Sequence, residues 1–405
     1  MKFTKLILVL FSFFFLGEIS GQAPNIIAGI NVDRVKRLEK FVQTEIDKGN
    51  IPGAVTMIIH KGTLVHQGAF GYKNVSTKVP MKIDDLFYIQ SMTKPIITTA
   101  FMMLYEEGYF KLDDPVSKYL PEFKNFRVVR SLNDGPDAPT DSLKSEITIT
   151  QLLSHSSGLT HGLNDNPVEN RFKKGYFKPS KTIQERVSNI TKFPLLAQPG
   201  TEWNYSAGPD VLCALIEKFS GMSVNDFLKT RLFEPLKMKS TGYNVPKTEQ
   251  SKIVALHLKG NNGNISVAAN QPPFENVTVW SGVNGLFSSA RDYATFCQMM
   301  MAGGTYNGKQ YLSRKTVDLM TSNHTGDLFP MPGTEWGLGF AVVTDGPATK
   351  TLASKGLYFW AGANNTHFFI DPKEQLIAIF MTQEGNFTMD YHNSLRQLVY
   401  QTLAD

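Results

Sequence analysis

Ser91-Met92-Thr93-Lys94 is a Ser-x-x-Lys tetrad, and it runs through Pro95 into the apolar stretch Ile96 to Leu104, which stops at Gly108. The spacing predicts a helix with Ser91 at or near its start and Ile97, Ala100, Phe101 and Leu104 on its buried face. Residues three apart share a helix face, so Lys94 lies beside the Ser91 hydroxyl. A serine is a poor nucleophile until a neighbour takes its proton, and a lysine desolvated at a pocket wall can have its pKa lowered enough to do so. The helix start also leaves N–H groups free for a developing oxyanion. A four-residue pattern arises by chance in a chain of 405 residues, so the surrounding elements must carry part of the argument.

Two further stretches hold reactive side chains. His155 stands beside Ser156 and Ser157 in Ser154-His155-Ser156-Ser157-Gly158, but no G-x-S-x-G elbow surrounds either serine. A turn shaped by hydrogen bonds of His155 is the simpler reading. Tyr205 ends the turn-rich Pro199-Gly200-Thr201-Glu202-Trp203-Asn204 stretch, just before a helix with Val211, Leu212, Leu215, Ile216 and Phe219 on its buried side. A phenol held there can face a cleft, although by itself a tyrosine at such a place more often packs. There is no H-E-x-x-H motif and no phosphate loop, and the eight histidines are dispersed, so no cofactor or metal is expected. Cys213 and Cys297 fall in apolar helical patterns and are read as buried unpaired thiols rather than a bridge.

The net charge of +5 is small for this length and the basic residues form no long runs, which argues against nucleic-acid binding. At the N-terminus, Lys2 and Lys5 precede the apolar stretch Leu6 to Leu16 and small residues around Ser20-Gly21. This is the pattern of a secretory signal peptide, residues 1–21, cleaved near Gly21-Gln22. A secreted or periplasmic protein is therefore expected, with no stable membrane insertion after cleavage, since no later segment is long and apolar enough to span a bilayer.

Asn31 to Asn50 has the period of an amphipathic helix, and Ala54 to His60 with Thr63 to Phe70 reads as a hairpin turning at Lys61-Gly62. His60 and His66 on these strands are expected at the surface. Residues 131–146 and 250–275 read as loops, and the polar, aromatic stretch 161–182 as a pocket rim or lid. Gly285-Leu286-Phe287-Ser288 is a turn before a helix carrying Tyr293, Phe296, Met299 and Met300. Strands follow at Gly337 to Thr344, Gly356 to Trp360, Thr366 to Ile370 and Leu376 to Thr382, then a helix from about Asp390. Strands at both ends with helices between them predict an α/β (α+β) fold. One antiparallel sheet joins the two chain ends, flanked by helices, with a mainly helical lobe beside it.

Ser91-Met92-Thr93-Lys94, Leu152 to Leu159, Pro199-Gly200 leading to Tyr205-Ser206, and Gly285 to Ser288 together resemble the serine beta-lactamase and penicillin-binding superfamily. The branch is that of class C beta-lactamases, DD-peptidases and family VIII carboxylesterases. The resemblance spans nearly the whole chain after residue 21, in order. It implies one domain over 22–405, with a sheet lobe at about 24–86 and 330–405 and a helical lobe at about 87–329. It also implies Ser91 as the acylated nucleophile, with Lys94 and Tyr205 as its acid/base pair. Backbone N–H groups of Ser91 and Ala363 would form the oxyanion hole. The superfamily's strand-borne Lys/His-Thr/Ser-Gly is matched by Trp360-Ala361-Gly362, and its Tyr-x-Asn by Tyr205-Ser206-Ala207, so the usual readers of a beta-lactam and its carboxylate are missing. A Trp at that place is similar to family VIII esterases and the related statin side-chain acyltransferases. The expected substrate is a small neutral ester; the alternative is a beta-lactam or a D-aminoacyl peptide amide. The oligomeric state is not legible.

Overall fold

The computed structural model describes residues 25–404, so the expected signal peptide lies outside the described residues. Helix α1 (Val32–Asp47) starts where the Asn31 side chain accepts the Asp33 and Arg34 N–H groups, and it buries Val35, Leu38 and Val42. Strands β1 (Gly53–His60) and β2 (Thr63–Asn74) form the expected hairpin. Its two-residue turn places Lys61 at φ 49° and Gly62 at φ 74°, the left-handed pair whose twist matches that of the strands. Short β3 (Val79–Pro80) edges them. The middle of the chain supplies α2 (Thr93–Glu106), α3 (Ile149–Leu153), α4 (Pro167–Tyr176), α5 (Ile183–Ile190), α6 (Gly208–Ser220) and α7 (Ala290–Met301). Then come β4 (Thr334–Trp336), β5 (Ala341–Val343), β6 (Tyr358–Gly362), β7 (Thr366–Asp371) and β8 (Leu376–Met381), and the chain closes with α8 (Asp390–Tyr400).

All eight strands form one antiparallel sheet in the order β4-β5-β6-β7-β8-β1-β2-β3. The chain ends meet inside it: Met57 of β1 lies opposite Ile379 of β8, in a ladder running from Val55↔Met381 to His60↔Leu376. Strands β1, β7 and β8 are buried along their whole length because both faces are covered. Val55, Met57, Phe368 and Ile379 pack toward α2 and α7. Ala54, Ile58, Phe369 and Phe380 pack toward α1 and α8. This is the α/β sheet architecture that the order of elements predicts.

Three local expectations are corrected and others refined. Helix α2 is buried all round from Thr93 to Leu104, not on one face, because the sheet covers one side and α6 another. The 161–182 stretch, read as a pocket rim or lid, contains a helix: Asn166 caps α4, Pro167 starts it, and Phe172 and Tyr176 are buried. The strand expected over Gly337 to Thr344 is only β5, Ala341–Val343, because residues 337–340 form the turn that leads in from β4, with Gly339 at φ 83° against the Thr98 side chain. His60 and His66 are 1% and 9% exposed rather than at the surface. The His60 Nδ1 lies 2.6 Å from the Ala28 carbonyl, and the His66 Nε2 lies 2.8 Å from the Thr56 hydroxyl. The loops at 131–146 and 250–275 hold residues of two small hairpins. Cys213 on α6 and Cys297 on α7 are buried and unpaired.

Helix α2 is the scaffold to which the tetrad is attached, and Phe101 anchors it by stacking on Phe110 at 4.3 Å while fully buried. Replacing Phe101 by Ala should destabilise the protein by about 3–5 kcal/mol in urea unfolding. A loss below about 1 kcal/mol would show that α2 is held by other contacts.

Candidate active site

Ser91 sits in a one-turn 3-10 helix, Gln90–Met92, that runs directly into α2. Gln90 has φ 48°, a left-handed conformation that costs a non-glycine residue free energy and turns the chain sharply just before Ser91. Lys94, in the first turn of α2, reaches back with its Nζ to donate to the Ser91 Oγ at 3.1 Å and to the Val283 carbonyl at 2.8 Å. The same ammonium lies 4.4 Å over the Tyr205 ring. Lys94 is only 1% exposed. Burial lowers its pKa to about 7, against an opposing pull from the Asp210 carboxylate. A neutral amine is thus available near neutral pH, within reach of the serine proton.

Tyr205 completes the group. Its hydroxyl accepts the Trp360 indole N–H at 3.0 Å and shares a hydrogen bond with Ser91. Burial raises the phenol's pKa, and those two hydrogen bonds only partly oppose the rise, so Tyr205 is a neutral phenol at pH 7. The loop that carries it is shaped by His155, at φ 58°. Asn204 donates its N–H to the His155 carbonyl at 2.8 Å, and Ser206 donates its N–H to Nδ1 at 3.2 Å. The imidazole packs on Tyr205 with ring centroids 4.8 Å apart. His155 therefore shapes the turn, as the missing elbow motif suggests, while the Ser156 hydroxyl pairs with that of Ser154.

The end of β6 closes the site. A Cβ at Gly362 would stand 2.3 Å from the Ile89 carbonyl, so only glycine lets this strand meet the turn that carries Ser91. Ala361 and Gly362 are buried, and Ala363 follows at an exposed position beside that turn. Trp360 has a second neighbour, Trp336, whose ring crosses it edge-on at 4.4 Å. Trp203 stacks on Tyr205 at 5.8 Å, adding to an aromatic wall. The structure thus gathers Ser91, Lys94, Tyr205 and the Trp360–Ala363 segment at one place.

Sequence reading missed the residue that holds the floor. Asp210 is fully buried on the first turn of α6, where sequence alone shows an ordinary helix-start acid. Its Oδ1 accepts the Ser281 hydroxyl at 2.7 Å and the N–H groups of Gly282 and Val283 at 2.8 and 3.2 Å. Its Oδ2 accepts the Tyr176 hydroxyl at 2.6 Å, with the Arg186 guanidinium 3.7 Å away. The clamp fixes the 281–283 turn whose carbonyl meets Lys94. Gly282 is required there, because a Cβ would stand 2.2 Å from the Pro209 carbonyl. Trp336 was also missed, an aromatic residue in a stretch without a pattern of its own, whereas Trp203 lies in the turn-rich stretch that leads to Tyr205. Among the described residues no group of three or more His, Cys, Asp or Glu side chains is placed to hold a metal.

Asp210→Ala leaves three buried donors, the Tyr176 and Ser281 hydroxyls and the Gly282 N–H, without their acceptor, so a loss of about 3 kcal/mol is expected in chemical denaturation. A loss under 1 kcal/mol would mean that water replaces the carboxylate and the clamp is dispensable.

Comparison with known proteins agrees with this geometry. The Beta-lactamase family matches residues 38–401. Protein Rv1367c of Mycobacterium tuberculosis is 30% identical over 353 residues, covering 83% of this chain and 87% of its own. The lovastatin esterase of Penicillium rubens is 27% identical over 397 residues, covering 90% of this chain and 98% of its own. The solved structure of EstCE1, a hydrolase with promiscuous acyltransferase activity, has a TM-score of 0.78 at 24% identity, covering 91% of this chain and 99% of that one. With a Ser-Lys-Tyr cluster beside this sheet, the match along almost the whole chain places the protein in the Beta-lactamase family, as a serine hydrolase of that fold.

Proposed function

We propose that the protein is an exported esterase that cleaves small neutral carboxylic esters through an acyl-enzyme on Ser91. The observation that carries the reading is the buried Lys94 amine, 3.1 Å from the Ser91 Oγ with its pKa lowered to about 7. Neutral Lys94 takes the Ser91 proton as Oγ attacks the ester carbonyl carbon, and the N–H groups of Ser91 and Ala363 receive the oxyanion, each worth about 3 kcal/mol when well aimed. The ester C–O bond then breaks. The proton passes from Lys94 through the Tyr205 phenol to the departing alkoxide, which leaves as an alcohol. Water repeats the sequence on the acyl-Ser91 ester, releasing a carboxylic acid and restoring the serine. Because Tyr205 is neutral at pH 7, it relays a proton, and Lys94 is the base.

The ester preference is inferred from Trp360 and Ala361, which present no cation to a substrate carboxylate, and from the aromatic wall of Trp203 and Trp336, which suits apolar groups. The similarity to the lovastatin esterase supports it. Export is inferred from the charge and apolar pattern of residues 1–21.

Hydrolysis of p-nitrophenyl esters from acetate to octanoate, beside the chromogenic beta-lactam nitrocefin, tests the assignment. Short esters should turn over and nitrocefin hardly at all, with ester activity falling at least about 10³-fold in Ser91→Ala. Retention of more than a few per cent of activity in that variant would remove Ser91 from the mechanism. Efficient nitrocefin cleavage would overturn the ester preference.

The reading also fixes a pH dependence. Activity needs the neutral amine, so kcat/KM should rise with pH through about 7 and then level off. The Asp210 carboxylate holds the Lys94 pKa up, so Asp210→Asn should move that rise to lower pH. A shift toward higher pH, or none, would contradict Lys94 as the base.

A further inference from the structure

Just past the end of β8, Gln383 is fully buried, and its side-chain amide joins two segments that lie far apart in the chain. Its Nε2 donates to the Tyr88 carbonyl at 3.1 Å and to the Thr382 carbonyl at 3.0 Å. Its Oε1 accepts the Asn364 Nδ2 at 3.1 Å. Both donors and the acceptor are thus in use, and the two carbonyls fix which way round the amide sits. Tyr88 stands three residues before Ser91, and Asn364 directly follows Ala363.

Gln90 holds a left-handed φ of 48° between Tyr88 and Ser91, a conformation that needs support from its surroundings. Ala363 and Asn364 stand in the turn from β6 to β7, which is closed by the Asn365 N–H on the Gly362 carbonyl at 3.0 Å, with Asn365 at φ 60°. The Ala363 N–H meets no acceptor among the described residues. The two segments also touch where the Thr366 hydroxyl reaches the Ile89 carbonyl, but at 3.4 Å that bond is long. Residues beside Gln383 hold the turn as well. The Glu384 N–H reaches the Asn364 carbonyl at 3.3 Å, and the Asn365 side chain donates to the Glu384 carbonyl at 3.0 Å. An oxyanion hole works only when its donors are held at a set separation before charge develops. A buried amide bonded to both segments supplies that constraint.

We propose that Gln383 is a positioning residue for ester cleavage, its amide setting the gap between the N–H groups of Ser91 and Ala363. This rests on the function proposed above, in which those two groups receive the oxyanion. Being wholly buried, Gln383 cannot touch substrate; it acts through the Tyr88 carbonyl and the Asn364 side chain. Chemistry matters here as well as size. A Met fills the space without bonding, and a Glu would set a carboxylate against the Tyr88 carbonyl. The amide carries no charge, so its loss should leave the proton equilibrium of Lys94 where it is.

The test compares the wild type with Gln383→Met, which keeps the volume and removes both bonds, using p-nitrophenyl acetate as substrate and butylboronic acid as inhibitor. The Ser91 Oγ adds to the boron while its proton passes to Lys94, and the tetrahedral adduct places a hydroxyl oxygen where the oxyanion would sit. The expected result is a kcat at least about tenfold lower with KM unchanged, and boronate affinity weakened by a similar factor. The rise of kcat/KM should stay near pH 7. Asn364→Ala removes the other half of the bridge and should act in the same direction, which decides the matter should Gln383→Met fail to fold. Because both variants break one bridge, the double variant should lose little more than the worse single one. Unchanged kcat and boronate affinity in a folded Gln383→Met or in Asn364→Ala would overturn the proposal. So would a loss that comes with a raised KM and a shifted pH profile, which marks general loosening of the site. Failure of the underlying function looks different: the wild type would bind no boronate, Ser91→Ala would stay active, and the proposal would fall with it.

Discussion

A lysine ammonium sealed from water must lose its proton or find compensation, and the whole site is arranged around that demand on Lys94. At 1% exposure it has three compensations: the Ser91 oxygen, the Val283 carbonyl and the face of the Tyr205 ring. They are enough to keep the lysine folded in place but not to restore its ordinary basicity, and the pKa settles near 7. A better-solvated lysine would be a permanent cation, unable to accept the serine proton at neutral pH. A lysine in a purely apolar wall would be neutral but poorly oriented. Asp210 tunes the balance from a distance, drawing the pKa upward while spending its own oxygens on the 281–283 turn and on Tyr176.

Each contact requires that distant parts of the chain approach without gaps. The Val283 carbonyl comes from 189 residues beyond Lys94, and the indole that meets Tyr205 from 155 residues beyond it. Close backbone approach makes this possible, and the glycines at 282 and 362 stand where a Cβ would strike a carbonyl at 2.2 and 2.3 Å. They are needed for the absence of a side chain, not for turn geometry. The aromatic residues then fill what remains. Trp336 supports Trp360, and His155 supports Tyr205, so the phenol is held by rings on two sides and by an indole N–H at its oxygen.

The role of Trp360 differs from a simple lining residue. Its indole N–H is already used on the Tyr205 oxygen. On the mechanism proposed above, that hydrogen bond orients the phenol that relays the proton. That bond favours the ionised phenol slightly, but burial outweighs it.

What the sequence determined by itself is local. The Ser91–Lys94 spacing acts through one helical turn, the apolar periods of α1 and α6 show which faces are covered, and strands at both ends of the chain compel a shared sheet. Trp360 to Ala363 came into view only as part of a family pattern, and Tyr205, legible as a loop phenol ahead of a rigid helix, took a role only from that pattern. Only the tertiary structure decided the rest. The burial of His60 and His66 depends on what covers a strand, and the clamp at Asp210 looks in sequence like any acid at a helix start. The basicity of Lys94 and the neutrality of Tyr205 are properties of an environment, set by desolvation and by partners far along the chain. Residue type and spacing state which groups can react; the exclusion of water, which a linear pattern does not contain, settles which protonation state each one holds.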